Sequence, residues 1–365
     1  MLLFTTINHE RIDYDMNNIQ LKNKYNRTKI VALFVLLLAG IFISTTIGPS
    51  EITIRQVIYV IASYLPGLDY LIELEEIRPS QETIIMQIRL PRIILAALVG
   101  MALATAGTTF QGLLKNPMAD PFIIGISSGA ALGAAFAIVT GLSVVIGYFT
   151  VPLVAFIGAV TSIFVVYHIA RVGNKVPVYN LLLSGVALSS FLSAITSLLM
   201  ILNTNEMNQI LFWMLGSFSG RSWEHIQIAG PFIIFGIIAL NFFSRELNLM
   251  LFGEHTAQNL GIDVERTKKL LLVLGSFTVA SAVAVSGTIG FVGLIIPHSM
   301  RLIVGSDHRI LMPVAALAGG IFMVFTDTIA RTVISPTEIP VGIITALFGG
   351  PFFIYLLKTK KTIGS

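Results

Sequence analysis

Residues 93–114 read IILAALVGMALATAGTTFQGLL, 22 consecutive positions without an Asp, Glu, Lys or Arg. A helix of roughly 20 apolar residues spans about 30 Å, the thickness of a bilayer's hydrocarbon core. The rest of the chain favours that setting. Charged residues make up 12% of the 365 positions, about half the usual fraction, while 55% are hydrophobic and the mean hydropathy is +0.85. A soluble fold must cover itself in something wettable, and this composition leaves too little to do so. The chain is therefore expected to be an all-α polytopic membrane protein.

Ten apolar stretches have about the length of a span: 30–47, 93–114, 122–141, 148–170, 178–202, 226–243, 270–286, 289–304, 311–331 and 339–357. The eighth is short and holds Pro297, so it is expected to be tilted, broken or only partly spanning. An even number of spans puts both termini on one side. Assigning that side to the cytoplasm leaves 17 Lys and Arg inside and six outside, as the positive-inside rule favours. The six exceptions are Arg55, Arg78, Arg89, Arg92, Arg221 and Arg331. The expected organisation is a cytoplasmic tail at 1–29, a ten-helix domain at 30–357 and a second tail at 358–365. The first tail lacks an apolar run before a small-residue cleavage site and so does not read as a cleavable signal. Residues 48–90 form an outer loop, in which 50–65 has the spacing of an interfacial helix and 71–82 is an acidic turn. Residues 244–269 form a cytoplasmic loop.

The chain has no cysteine, which removes disulfides, Fe–S ligation and thiol chemistry. It has no G-x-x-x-x-G-K-[ST] loop, no H-E-x-x-H and no G-x-S-x-G, so nothing points to an enzyme or to a cofactor bound by this chain. His168 and His298 have no second ligand at helical spacing and read as structural imidazoles. Gly125, Gly129 and Gly133 share one helix face, where a neighbour from the same chain or from a second copy can approach closely. Ser189, Ser193, Thr196 and Ser197 place hydroxyls along the fifth span. They either line a pathway or bond to the preceding turn. Asp327 precedes Arg331 by four residues near the outer end of the ninth span. A structural ion pair and a proton relay are both open readings.

Six stretches, in order, carry a resemblance: QIRLPR at 87–92, QGLLKNPMADP at 111–121, GEHTAQNLG at 253–261, GTIGFVGLIIPH at 287–298, DTIAR at 327–331 and EIPVGIITALFGGPFFIY at 338–355. Together they resemble the FecCD family of ABC transporter permeases, over nearly everything after residue 85. The resemblance implies the ten-helix fold of a type II ABC importer permease in the cytoplasmic (inner or plasma) membrane of a prokaryote. It implies as partners a second permease, identical or paralogous, two cytoplasmic ATPase subunits that hydrolyse the ATP, and an extracytoplasmic substrate-binding protein. Cargo in the family is a ferric siderophore, haem or cobalamin, with ferric siderophore the default expectation.

By position in these motifs, the resemblance makes Arg89, Arg92 and Arg331 the docking residues for acidic groups of the binding protein. Spacing alone reads them as interfacial anchors. It makes Gly253, Glu254, Ala257, Leu260 and Gly261 the element that couples to the ATPase, with Ala257 and Leu260 presenting a small apolar contact. Spacing alone reads an ordinary capped loop helix. Asn116 and Met118 fall where relatives have a cytoplasmic gate, although an Asn turn is an equal reading. The second gate element of some relatives contains Ser or Thr, whereas residues 176–179 here are VPVY. The rival from another class is a transporter driven by an ion gradient, which needs a coupling carboxylate. Asp327 is the candidate.

Overall fold

The computed structural model describes residues 27–64, 78–173 and 175–363. The described residues are helical, apart from one β-bridge between Val172 and Lys175 and the loops. In chain order the helices are α1 (Arg27–Thr46), α2 (Ile54–Ser63), α3 (Pro79–Leu113), α4 (Ile126–Val139), α5 (Leu142–Ile146), α6 (Thr150–Ala170), α7 (Val178–Leu202) and α8 (Met207–Met214). They continue as α9 (Trp223–Phe242), α10 (Ser244–Leu251), α11 (Glu254–Asn259), α12 (Val264–Ser286), α13 (Val292–Val304), α14 (His308–Ala330) and α15 (Val341–Ile363). Seven of these, α1, α3, α6, α7, α9, α12 and α14, are long and apolar enough to cross a membrane. The other three expected spans are the shorter apolar helices α4, α13 and α15.

The differences from the expected spans have physical causes. The third expected span begins at 122, but Pro121–Ile124 forms a tight 3-10 turn and α4 starts only at Ile126. Its 14 residues cover about 21 Å, so they do not cross the hydrocarbon alone. The eighth span is short, one of the expected outcomes: residues 287–290 are not helical, Phe291 adopts a left-handed backbone, and α13 runs unbroken through Pro297 for 13 residues. The outer loop ends earlier than 90. Helix α3 starts at Pro79 and passes through a π-helical stretch, Ile84–Arg89, before Pro91. Such widened turns recur where a helix must absorb an irregular residue. The expected interfacial helix is α2, closed by a reciprocal capping box between Thr53 and Gln56. It buries Val57 and Val60 against Ile52 and Ile85. The acidic turn lies largely outside the described residues.

Helix α3 is the hub. It packs on α14, α12, α9 and α13, and 83% of its most apolar window is buried, against 11% for α7. Glycine makes this centre possible. A Cβ on Gly100 would collide with the carbonyl of Gly319 on α14, and one on Gly107 with the carbonyl of Gly293 on α13. Backbones in direct contact gain dispersion that lipid cannot match, which is how helices associate without a hydrophobic driving force. The glycines of the third span behave likewise: Gly129 faces Gly158 and Gly133 faces Val154, both on α6. Their neighbour is in the same chain.

This packing sets a test. Gly100→Leu is expected to cost about 3 kcal/mol or more through overpacking against immovable backbone. It should abolish a cooperative thermal transition in detergent. Gly40→Ala on α1, where a methyl group meets open space, is expected to melt like the parent; equal melting of the two variants would remove glycine contact as the organiser of the core.

Candidate functional site

At the outer end, three arginines and two acids converge from three parts of the chain. Arg92 on α3 holds Asp327 of α14 with Nε at 3.0 and 3.2 Å and Nη2 at 2.9 Å, and its Nη1 donates to Glu338 Oε1 at 2.7 Å. The fork of a guanidinium matches two carboxylate oxygens, which gives the pair its direction as well as its strength. Arg331 Nε lies 3.8 Å from Asp327 Oδ2. The ion pair expected between Asp327 and Arg331 is thus present but secondary; Arg92, from a helix 235 residues away in sequence, is the principal partner.

The remaining donors of this cluster serve α1. The last four carbonyls of any helix lack a partner in their own ladder. Here the Ile43 carbonyl accepts from the Thr46 hydroxyl at 2.7 Å, and Ser44 O accepts from Arg331 Nη2. Thr45 O and Thr46 O accept from Arg89 Nη1 at 2.8 and 3.2 Å, while Arg89 Nη2 reaches Ser50 O at 2.7 Å. Two cations at the negative end of a helix dipole are favourably placed. Arg89, Arg92 and Arg331 are only 4%, 7% and 3% exposed. Within this chain, internal carbonyls and carboxylates occupy all three guanidinium groups. Glu338, the one half-exposed member, went unassigned from sequence. Burial pushes its carboxyl up, but the hydrogen bond and charge of Arg92 outweigh this and hold it below the usual range.

At the inner end, α11 is a single capped turn. Gly253 and Gly261 have φ of +117° and +86°, which favours glycine. Gly261 N–H donates to Gln258 O and Ile262 N–H to Ala257 O, the paired bonds of a Schellman cap. The expected closure by Gly261 is present, but of the two residues expected at the apolar contact only Leu260 faces outward. Ala257 is fully buried in the core cluster, whereas Leu260 is 60% and Phe252 77% exposed. The apolar surface at this end is therefore Phe252 with Leu260. Glu254 pairs with Lys268 of α12 at 2.7 Å, fixing α11 to a spanning helix.

The other candidates separate. Asn116 Oδ1 accepts from Met118 N–H at 2.9 Å after Lys115 in a left-handed conformation, so Asn116 closes the turn that follows α3. On α7, Ser193 and Ser197 are exposed, Ser189 is half-buried beside Gly125, and Thr196 is buried. Thr196 and Ser197 donate to Leu192 O and Ser193 O, one turn back. The four hydroxyls do not share one accessible face. His168 Nδ1 bonds Phe164 O, and among the described residues no cluster of three metal-ligating side chains exists. Gln111 was quoted in a motif but given no role. It receives Arg301 Nη1 at 3.1 Å and donates to Leu294 O, tying α3 to the short eighth span.

A family model described as the FecCD transport family matches residues 36–359. A cobalamin import system permease protein of Halobacterium salinarum is 44% identical over 354 residues, covering 90% of this chain and 95% of the relative. A hemin transport system permease protein of Yersinia pestis is 39% identical over 279 residues, covering 76% and 83%. A solved structure, described as an inward-facing conformation of an ABC transporter assigned to the metal-chelate type, superposes with a TM-score of 0.78 at 32% identity, covering 90% of this chain and 98% of that one.

Removing one partner of a buried ion pair costs about 3–5 kcal/mol, whereas replacing both with apolar groups of similar volume is often neutral. Asp327→Leu is therefore expected to lower the detergent unfolding midpoint strongly. The double variant Arg92→Met with Asp327→Leu is expected to recover much of the loss, and additive effects in this cycle would count against the pairing.

Proposed function

Because this chain belongs to the FecCD transport family, we propose that it forms, with a second permease, the translocation path for a metal chelate as bulky as cobalamin. Membership itself makes it the multi-pass inner-membrane permease of a prokaryotic ABC importer, a transport component beside a partner permease and ATPase subunits. The observation that carries the rest is α7. It is long enough to span the membrane, yet only 11% of its most apolar window is buried. That face, with Ser193 and Ser197 on it, looks away from this chain's own core. Set against a second permease, it supplies a wide, weakly polar wall suited to a large solute.

An external binding protein delivers the chelate to the outer face, docking where Arg89, Arg92 and Arg331 gather, as the family motifs imply. ATP is hydrolysed in the partner subunits, and this chain binds no cofactor of its own. Asn116 and Met118, at the inner end of α3, narrow the exit. A gradient-driven mechanism is disfavoured because Asp327, the carboxylate it needs, is committed to Arg92 near the outer end. Ferric siderophore is the expectation from sequence; cobalamin is favoured over it by the 44% identical relative described as a cobalamin permease. ATP-dependent uptake into proteoliposomes loaded with the assembled complex tests both. Uptake of a ferric siderophore but not cobalamin would reverse the choice of cargo, and uptake without ATP would remove the importer reading.

For coupling, Phe252 and Leu260 form the contact with the ATPase. Phe252→Asp with Leu260→Asp is expected to leave thermal stability near the parent while abolishing ATP-driven uptake. Ala257→Glu, which forces a charge into the core, is expected to prevent folding. Full uptake by the surface variant would end this assignment.

A further inference from the structure

At the cytoplasmic end, a cavity of about 340 Å³ opens between the inner ends of α3, α6, α7 and α12. Its wall carries four cations, Arg171, Arg266, Lys268 and Lys269, and two acids, Asp263 and Glu265. The acids are engaged: Asp263 caps α12 by accepting from Arg266 N–H at 3.1 Å, and Glu265 lies 3.4 Å from Lys268. Lys268 is engaged as well, 2.7 Å from Glu254. Two cations have no acid partner among the described residues. Among the described residues Lys269 lies over the Tyr167 ring, 5.9 Å from its centroid, and no acid pairs with it or with the Arg266 side chain. Arg171 spends its Nε on Gly173 O at 2.7 Å.

The helices that bear these cations change character with depth. On α12, Arg266, Lys269 and Val273 follow one stripe at helical spacing, and Val273 is 56% exposed. On α6, Phe164, Tyr167 and Arg171 do the same in the opposite chain direction, and Phe164 is 60% exposed. Each stripe is cationic at the inner water boundary and exposed apolar surface within the span. That is the pattern an anionic lipid fits, with its phosphate at the cations and its acyl chains along the apolar stripe below. A soluble protein surface would match the cations but not the apolar continuation.

We propose that this cavity binds the headgroup phosphate of an anionic phospholipid of the inner leaflet, held chiefly by Arg266 and Lys269. The site adjoins the coupling turn, since Lys268 in its wall holds Glu254 of α11. Its occupancy does not depend on that turn's role.

The test uses the assembled transporter in bilayer discs of phosphatidylethanolamine, alone or mixed with phosphatidylglycerol, and counts retained lipids by native mass spectrometry after release. Phosphatidylglycerol is expected to stay with the parent complex in preference to phosphatidylethanolamine. Arg266→Ala with Lys269→Ala should weaken that retention roughly 30-fold, from about 1 kcal/mol per cation at an anionic lipid surface. Arg309→Ala, an exposed cation already paired with Asp307, should leave it unchanged. Equal retention by parent and double variant overturns the proposal. So does displacement of the lipid by inorganic phosphate at equal concentration, which would make the site one for a free anion. Loss of the ATPase subunits from the double variant with lipid retention intact overturns it too, by assigning the surface to that partner.

Discussion

Arg92 is held between two carboxylates in a place where neither it nor they could stand alone. A charge taken out of water costs several kcal/mol unless its partners are near and well aligned. The outer ends of α3 and α14 and the loop before α15 are therefore obliged to meet at one point. Arg89 and Arg331 extend the same cluster to α1 by occupying three of its last four carbonyls. Since α1 buries only 17% of its spanning window, it depends on this end fastening, on a small apolar contact near Leu37 and, at its other end, on the Lys29 hydrogen bond to Ile303 O.

Given that fastening, the centre can be built from small residues. Gly100 against Gly319 and Gly107 against Gly293 let α3 touch two helices backbone to backbone. The short helices follow from the same crowding. Helix α13 starts only at Val292, and Gln111 of α3 donates to the carbonyls of Gly293 and Leu294, the first of which has no donor in its own helix because Pro297, four residues on, lacks an N–H. A rigid inner bundle and a sparsely buried α7 then divide the molecule into a part that keeps its shape and a part that meets something else.

The inner end repeats this economy of contacts. One capped turn, α11, is fixed to α12 by the Glu254–Lys268 pair, with the apolar side chains of Phe252 and Leu260 turned outward beside it. A small apolar contact on a rigid base is suited to transmitting motion, because a push on it moves the spanning helix and not a flexible loop.

Much of this was legible in the residues. The number of apolar stretches, the side on which the basic residues collect and the shortness of the eighth span all follow from the need to satisfy backbone groups and keep charge out of hydrocarbon, and that need acts locally along the chain. The Schellman cap at Gly261 was legible for the same reason. The partner of Asp327 was not: Arg331 lies four residues away, but Arg92 lies 235 away, and only the packing of α14 on α3 brings it closer. The inward turn of Ala257 was likewise invisible, because six residues of helix do not say which side the core is on. The sequence by itself determined that the chain crosses a membrane, roughly where, and which way round, since hydropathy and charge are properties of contiguous residues. Only the tertiary structure decided that its outer arginines face inward, because burial and pairing are relations between helices that no single stretch contains.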